Sequence, residues 1–227
     1  MLVSHNHKFI YTKTNKTAGT SVESFFEPHC MPNADWQPSF ARAETISAEG
    51  IVGFRGKHRP EDCCFWNHMP ASVIKERLGD DIWYRYFKFC VVRNPFDKAI
   101  SQFYFHRRLH QGKQQVVERI DLDEERQAFE HWLTKDYTVH DRDKYLINGE
   151  FCLDDVIRFE NLERDVVRVC DVLSIDCVEA KLSSFMVGIR PAQATTETLY
   201  SAASRQIVEE KCSFELECFD YSFPKSS

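Results

Sequence analysis

Apolar and polar positions alternate in two stretches of the chain in a way that predicts a strand, a short polar loop and a helix. In residues 8–26, bulky positions typical of a strand lead into the polar loop 14–18, and an apolar helix face follows at Val22 and Phe26. This layout directs backbone N–H groups and the positive end of a helix towards the loop. An ordinary strand-to-helix turn has the same layout, so an anion site and a plain turn remain equally open.

The second stretch begins with FKFCVV at residues 87–92, whose nearly continuous apolar character is typical of a central buried strand. Arg93 follows, and Pro95 then opens a helix with its apolar residues on one face. Strand and helix patterns alternate along the whole chain. They predict an α/β domain over residues 1–227, with a mainly parallel central sheet flanked by helices on both faces.

Further helix and strand patterns occupy most of the remaining chain. Helices are predicted at 71–78, ended by Gly79, at 121–135, after Leu162 and from about Ser201, with one or two strands at 151–159. Residues 106–119 are typical of a helix end that runs into a loop. The segment 28–61 contains four prolines and three glycines, which predicts an irregular insertion in the domain.

Composition excludes several classes of function. The net charge of −6 argues against bulk attraction to nucleic acid or to an anionic membrane. No apolar run is long enough for a membrane span, and the N-terminus lacks a signal-peptide pattern. The nine cysteines form no CxxC pair, so we expect mostly buried thiols in a reducing, cytoplasmic compartment and no metal site.

Basic residues at the two strand ends suggest where an anion binds. Lys16 lies in the first loop, and Arg93 follows the second strand, where open α/β sheets bind ligands. Ser101, two turns into the next helix, is placed to join the Arg93 guanidinium on one phosphate. Two such sites predict a ligand with two separated anionic groups.

The order of these residues differs from that of a metal-dependent nucleotide-binding loop. A Walker A loop has its lysine after the glycines, whereas Lys16 precedes Gly19. An aspartate that holds Mg²⁺ is expected at the end of a neighbouring strand, but that position is Arg93. The pattern therefore favours an anionic nucleotide that binds without an essential metal.

His68 is a candidate general base. It lies just before Pro70, where a helix is predicted to begin, and the positive end of that helix disfavours imidazole protonation. A neutral imidazole is what a general base requires, although a structural histidine is an equally common use of such a position. Arg55, Lys57, His58 and Arg59 form a basic cluster nearby in sequence, for which a solvated loop is slightly favoured over an anion contact.

The sequences KTAGTS (residues 16–21) and VVRNPFDKAISQFY (91–104) resemble those of the sulfotransferases that use 3′-phosphoadenosine 5′-phosphosulfate (PAPS). The resemblance is closest to the carbohydrate sulfotransferase branch and its bacterial relatives. The turn HMPA (68–71) and the segment IRFENL (157–162) also resemble landmarks of this family, in the same order along the chain.

The resemblance implies a P-loop-like fold and in-line transfer of a sulfuryl group from PAPS, without a metal, to a hydroxyl acceptor of the carbohydrate class. Lys16 and His68 are the implied catalytic residues. The implied nucleotide-binding residues are Lys13, Thr17, Ala18, Gly19, Thr20, Ser21, Arg93, Ser101 and Arg190. A basic set that includes Arg107 and Arg108 is a candidate for steering an anionic glycan, although solvated surface is the expected place of most of it.

One departure concerns the residue before Lys16, which is often proline in the family and is Asn15 here. This departure affects the expected rigidity of the loop but not its charge. Lys13 is either a second phosphate ligand or a side chain in solvent. A metal-dependent nucleotide kinase and a non-catalytic nucleotide-binding module remain as alternatives, and the sequence leaves the oligomeric state open.

Overall fold

The chain divides into two compact units in a computed structural model that describes residues 1–32, 36–111, 121–135, 137, 139–185 and 188–224. The first unit comprises Met1–Val92 and Asp141–Phe185, and the second comprises Arg93–His140 and Met186–Ser227. Residues 33–35, in the predicted insertion, and residues 112–119, in the predicted loop after the second long helix pattern, lie outside the described residues.

The first unit contains a six-stranded sheet. Its strands are β1 (Leu2–Ser4), β2 (Phe9–Thr12), β3 (Thr45–Ile46), β4 (Gly50–Val52), β5 (Phe87–Val92) and β8 (Asp155–Arg158). Their order across the sheet is β3-β4-β1-β2-β5-β8. Two further short strands, β6 (Leu146–Ile147) and β7 (Glu150–Phe151), form a separate hairpin.

The sheet is mixed. Strand β5 lies between β2 and β8 and is parallel to both, with Tyr11 opposite Phe89 and Val91 opposite Ile157. The β1–β2, β1–β4 and β3–β4 pairings are antiparallel. The α/β class is therefore confirmed, but parallel pairing is confined to the half of the sheet that contains β2, β5 and β8. The segment 28–61 supplies β3 and β4 to the other half.

Helices cover both faces of this sheet. They are α1 (Gly19–Phe26), α2 (Ala71–Arg85), α5 (Arg142–Tyr145) and α6 (Leu162–Val172). Helices α1 and α6 pack on the face that carries Phe9 and Tyr11, whereas α2 packs on the face that carries Ile10. Alternate residues of a strand point to opposite faces of the sheet, and helices cover both faces here. Every residue of β2 is therefore buried.

Helix α2 bears out the predicted role of Gly79 in ending a helical segment. The backbone at Gly79 is non-helical, with φ 78° and ψ 162°, a region that glycine adopts readily. A second helical segment, which the sequence pattern did not indicate, continues from there to Arg85.

The second unit is helical in its described part. Its helices are α3 (Pro95–Gln111), α4 (Leu122–Leu133), α7 (Thr196–Leu199), α8 (Ala202–Lys211) and α9 (Ser213–Cys218). A buried cluster that includes Phe96, Ile100, Phe103, Phe129 and Val208 joins them. Helix α4 starts at an N-cap aspartate, Asp121, whose side chain accepts hydrogen bonds from two backbone N–H groups.

Within the described ranges, no helix combines the length and the apolar character that crossing a membrane requires.

Candidate active site

The loop between β2 and α1 has an unusual backbone. Lys16 (φ 59°) and Ala18 (φ 58°) both adopt the left-handed conformation, which is unfavourable for residues other than glycine. The Thr14 hydroxyl donates to the Val91 carbonyl of β5 and is 2.8 Å from the Thr17 hydroxyl, which ties the loop to the neighbouring strand. Strained backbone held in place by such contacts is typical of functional loops.

The start of α1 presents backbone N–H groups beside this loop. Ala18 is the N-cap residue and makes no side-chain capping hydrogen bond. The N–H groups of Ser21 and Val22 donate to the Ala18 carbonyl, at 2.9 and 3.2 Å, so the N–H groups of Gly19 and Thr20 precede the first bonds of the helix. The first turn of a helix is a favourable place for an anion because of these donors and the helix dipole.

Gly19 is required by the close approach of Lys13. A Cβ atom at position 19 would lie 3.0 Å from both Cγ and Cε of Lys13 and 3.2 Å from the Thr14 carbonyl oxygen. The buried Lys13 Nζ donates to Glu23 Oε2 at 2.7 Å and to Thr20 Oγ1 at 3.0 Å. The alternative that Lys13 points into solvent is therefore wrong, since its charge is paired with a carboxylate inside the unit.

A buried set of charges lies beneath the loop. Glu23 also accepts from Arg55 Nη1 at 2.5 Å, and Arg55 Nη2 is 2.6 Å from Glu27, which in turn pairs with Arg42 at 2.7 Å. Burial would raise the pKa of Glu23, but the charges of Lys13, the Met1 amino group and Arg55 outweigh it and hold that pKa well below its usual range.

The prediction that Arg55 belongs to a solvated basic cluster is wrong. The Arg55 side chain is 3% exposed and pairs with two glutamates, whereas Lys57, His58 and Arg59 are exposed. A buried charge needs such partners. Arg107, another candidate for contacting an anionic acceptor, pairs with Glu125 at 2.5 Å.

Lys16 is partly exposed. The residue before it, Asn15, makes two hydrogen bonds to one carboxylate. The Asn15 backbone N–H donates to Asp141 Oδ2 at 3.0 Å, and the Asn15 side-chain amide donates to Asp141 Oδ1 at 2.5 Å. The sequence reasoning missed Asp141, which lies 126 positions further along the chain. No local pattern at Asp141 indicates this contact.

His68 contacts the same loop. Its backbone is left-handed (φ 56°), and its Nδ1 lies 3.1 Å from the Lys13 carbonyl oxygen. Because a carbonyl oxygen only accepts, Nδ1 carries the proton and Nε2 keeps its lone pair in the neutral ring.

Burial and then the charge of Lys13 lower the pKa of His68 to about 4, against an opposing effect of Asp141. The neutral state agrees with the sequence expectation. The first cause, however, is burial, whereas the sequence reasoning relied on the dipole of the helix.

The second unit carries another basic site. Arg93 Nε donates to Asp97 Oδ2 at 2.7 Å, and Arg190 Nη1 pairs with the other oxygen, Oδ1. Burial would raise the pKa of Asp97, but Arg93 and Arg190 bring about a net lowering. Ser101 lies four residues after Asp97 in α3, which puts the two on the same helix face. Two guanidinium groups therefore share the one carboxylate of Asp97.

Metal ligands and disulfides are not features of the described residues. No group of three or more His, Cys, Asp or Glu side chains among them is arranged to hold a metal ion. All nine cysteines, each within the described ranges, are free thiols.

Comparison with known proteins gives one family match. The model of a family described as "Sulfotransferase family" matches residues 1–222. A protein of Archaeoglobus fulgidus, described as uncharacterized, is 26% identical over 101 residues, which are 44% of this chain and 78% of that protein. No solved structure matches the chain. Because the family model covers nearly the whole sequence, including both basic sites, the chain belongs to the sulfotransferase family.

Proposed function

We propose that this protein transfers the sulfuryl group of PAPS to a hydroxyl group of its acceptor. The observation that carries the proposal is the loop before α1, in which Lys16 and Ala18 have left-handed backbone directly ahead of the first-turn N–H groups. Sulfotransferases act on hydroxyl-bearing acceptors in general, and the family match brings this chain into that group. A P-loop-like arrangement of β2, the loop and α1 is part of the proposal.

The proposed chemistry is an in-line displacement at sulfur. The acceptor oxygen forms a bond to sulfur as the bond from sulfur to the 5′-phosphate oxygen breaks, and the acceptor proton passes to His68 Nε2. Negative charge grows on the leaving phosphate. Lys16 and the N–H groups of Gly19 and Thr20 stabilise that charge, while Thr17, Ala18 and Ser21 shape the loop around it.

We assign Lys13 a supporting role in this loop. Its ammonium group is 2.7 Å from Glu23, a buried carboxylate that it shares with Arg55 and the Met1 amino group. Its side chain fills the space above Gly19 and thereby fixes the start of α1. Lys13 could contact a phosphate only through the remaining N–H of its ammonium group.

The 3′-phosphate is assigned to Arg93 and Ser101, with Arg190 as a second cation. The shared Asp97 orients both guanidinium groups by hydrogen bonds, and a guanidinium group matches the geometry of a phosphate. An arginine in this role fits a nucleotide with a 3′-phosphate, which ATP lacks.

Ligand binding tests the proposed donor. Thermal unfolding should shift upwards by about 5–10 °C with adenosine 3′,5′-bisphosphate at 100 times its Kd, because binding to the folded state alone adds stability. AMP should produce a smaller shift. The Arg93→Ala variant should lose much of the response to the bisphosphate and keep the response to AMP, which has no 3′-phosphate.

Equal responses to ATP and the bisphosphate, together with ATP turnover that depends on Mg²⁺, would instead favour a nucleotide kinase. Selective binding of the bisphosphate without transfer to any acceptor would favour a non-catalytic module.

The His68→Gln variant should lower kcat by about 10²-fold or more, as expected for loss of a general base, and leave bisphosphate affinity nearly unchanged. In the unchanged protein, the NMR signals of the His68 ring should titrate near pH 4, because burial and Lys13 lower its pKa. The ring is therefore mostly neutral, and available as a base, near neutral pH. An unaltered kcat in His68→Gln would remove His68 from the mechanism.

A carbohydrate acceptor remains a proposal. Of the basic residues considered for it, Arg55 and Arg107 are engaged by glutamates, and Arg59 stacks 4.1 Å from the Trp66 ring centre. Exposed Arg59, with Trp66 beside it, offers a cationic and aromatic surface to which an acidic sugar could bind. Transfer assays with neutral and acidic sugars would separate the two acceptor classes.

A further inference from the structure

The contact between Asn15 and Asp141 joins two distant parts of the first unit. Both carboxylate oxygens of Asp141 accept from the same residue, one from the Asn15 backbone N–H and one from its side-chain amide. Asp141 is 3% exposed and directly precedes α5. Hydrogen bonds to a buried carboxylate are among the stronger ones in proteins, so this contact fixes Asn15 firmly.

Three consecutive loop residues are each held by a different element. The Lys13 carbonyl accepts from His68 ahead of α2, and the Thr14 hydroxyl donates to Val91 of β5. Asn15 is held by Asp141 ahead of α5. Lys16 is the next residue, so the direction in which it leaves the loop depends on these three anchors.

The backbone of Lys16 needs such support. Its φ of 59° lies in the left-handed region, where a residue with a Cβ atom is strained. A strained conformation persists only where its surroundings over-determine it. Because Asn15 is bonded to Asp141 through both its backbone N–H and its side chain, the residue from which the chain enters Lys16 is held in place.

The residue type at position 15 determines how the loop can be held. A proline at this position would restrict the loop by its fixed φ but has no N–H to donate. Asn15 supplies the N–H that Asp141 binds. A proline at position 15 could not donate a backbone N–H to Asp141. A proline and the Asp141 contact are therefore alternative ways to hold the loop.

We propose that Asp141 is a positioning residue that, through Asn15, holds Lys16 where sulfuryl transfer requires it. This inference rests on the proposed function, because it assigns Asp141 to the support of Lys16. Asp141 itself touches neither the donor nor the acceptor in this scheme.

A set of variants tests the proposal through rescue. Asp141→Ala should lower kcat about 10²-fold, the size of effect expected from a misplaced catalytic group, and change bisphosphate affinity only a few-fold. Asn15→Pro in the same chain should restore at least ten-fold of the lost kcat, because proline restricts the loop without needing Asp141. Asn15→Pro alone should be less active than the unchanged protein, since it removes both hydrogen bonds that Asn15 donates to the buried Asp141 carboxylate.

Two controls separate positioning from general stability. Asp143→Asn changes an exposed carboxylate on α5, the short helix that follows Asp141, and should leave kcat unchanged. In a Lys16→Met background, Asp141→Ala should lower kcat much less than it does in the unchanged protein, because the positioning of Lys16 no longer matters and only the effect of the Asp141 charge on the pKa of His68 remains. Asp141→Asn, which keeps the shape and one acceptor oxygen, gives a milder variant if Asp141→Ala fails to fold.

Hydrogen exchange gives a readout that does not depend on activity. The amides of residues 16–18 should exchange faster in Asp141→Asn than in the unchanged protein, and more slowly again when Asn15→Pro is added. Unchanged exchange, or a double variant no more active than Asp141→Ala, would overturn the proposal. If the unchanged protein transfers no sulfuryl group, the proposed function fails, and the exchange result still decides whether Asp141 orders the loop.

Discussion

Replacing Lys16 with methionine is expected to lower kcat by about 10²–10³-fold with little change in unfolding temperature. Methionine keeps an unbranched apolar stem and removes only the charge that is proposed to stabilise the leaving 5′-phosphate. Loss of one preorganised group that stabilises developing charge costs about 2.7–4 kcal/mol of transition-state free energy. Steady-state kinetics with PAPS and a hydroxyl acceptor measure the effect.

Lys8 provides a matched control for this substitution. It lies in the same unit, is exposed, and has a left-handed backbone like that of Lys16, with φ 52° compared with 59°. Lys8→Met therefore reproduces any cost of placing methionine in that conformation. Kinetics of Lys8→Met should match those of the unchanged protein, and a Lys16→Met enzyme that kept its kcat would contradict the catalytic assignment.

The elements around the Lys16 loop follow from short-range patterns in the sequence. Strand β2, the loop and α1 are consecutive, as are β5 and α3, so their periodicity and the residues between them are visible together. Strands β1 and β4 have only three residues each, too few to show a period of two. The antiparallel half of the sheet was missed for this reason.

Side-chain partners in the site were less predictable than its location. Lys13 and Lys16 lie in one polar loop, and nothing local reveals that Lys13 alone is buried. The evidence for a buried lysine lies in α1. Glu23 follows the buried Val22 and is itself fully buried, and a buried carboxylate needs a cationic partner. Asp141 has no such signal, since only the fold brings it to Asn15.

Glu23 should contribute more to folding stability than any exposed carboxylate of the chain. It is fully buried and accepts from Lys13 at 2.7 Å, from Arg55 at 2.5 Å and from the Met1 amino group at 2.7 Å. Glu23→Gln keeps the shape and removes the charge, which leaves buried cations without compensation. Breaking a buried ion pair in this way typically costs about 3–5 kcal/mol in the free energy of unfolding, measured by urea titration.

A surface pair of the same kind serves as the comparison. Glu209 lies 2.7 Å from Arg205, and the two side chains are 42% and 50% exposed. Glu209→Gln should change the free energy of unfolding by about 0–1 kcal/mol, because water already solvates both charges. A similar small change in Glu23→Gln would mean that the buried charges find other compensation.

The pH dependence of stability provides a second test of Glu23. Its folded-state pKa lies below the ordinary value of 4.5, so the folded protein binds the proton less readily than the unfolded chain does. The stabilisation is therefore fully present above pH 4.5 and is lost as the pH falls towards the lowered pKa. In Glu23→Gln this group no longer titrates, so the loss of stability below pH 4.5 should be shallower than in the unchanged protein. An equally steep loss in the variant would assign the acid sensitivity to other carboxylates, such as Asp97, whose pKa is also lowered.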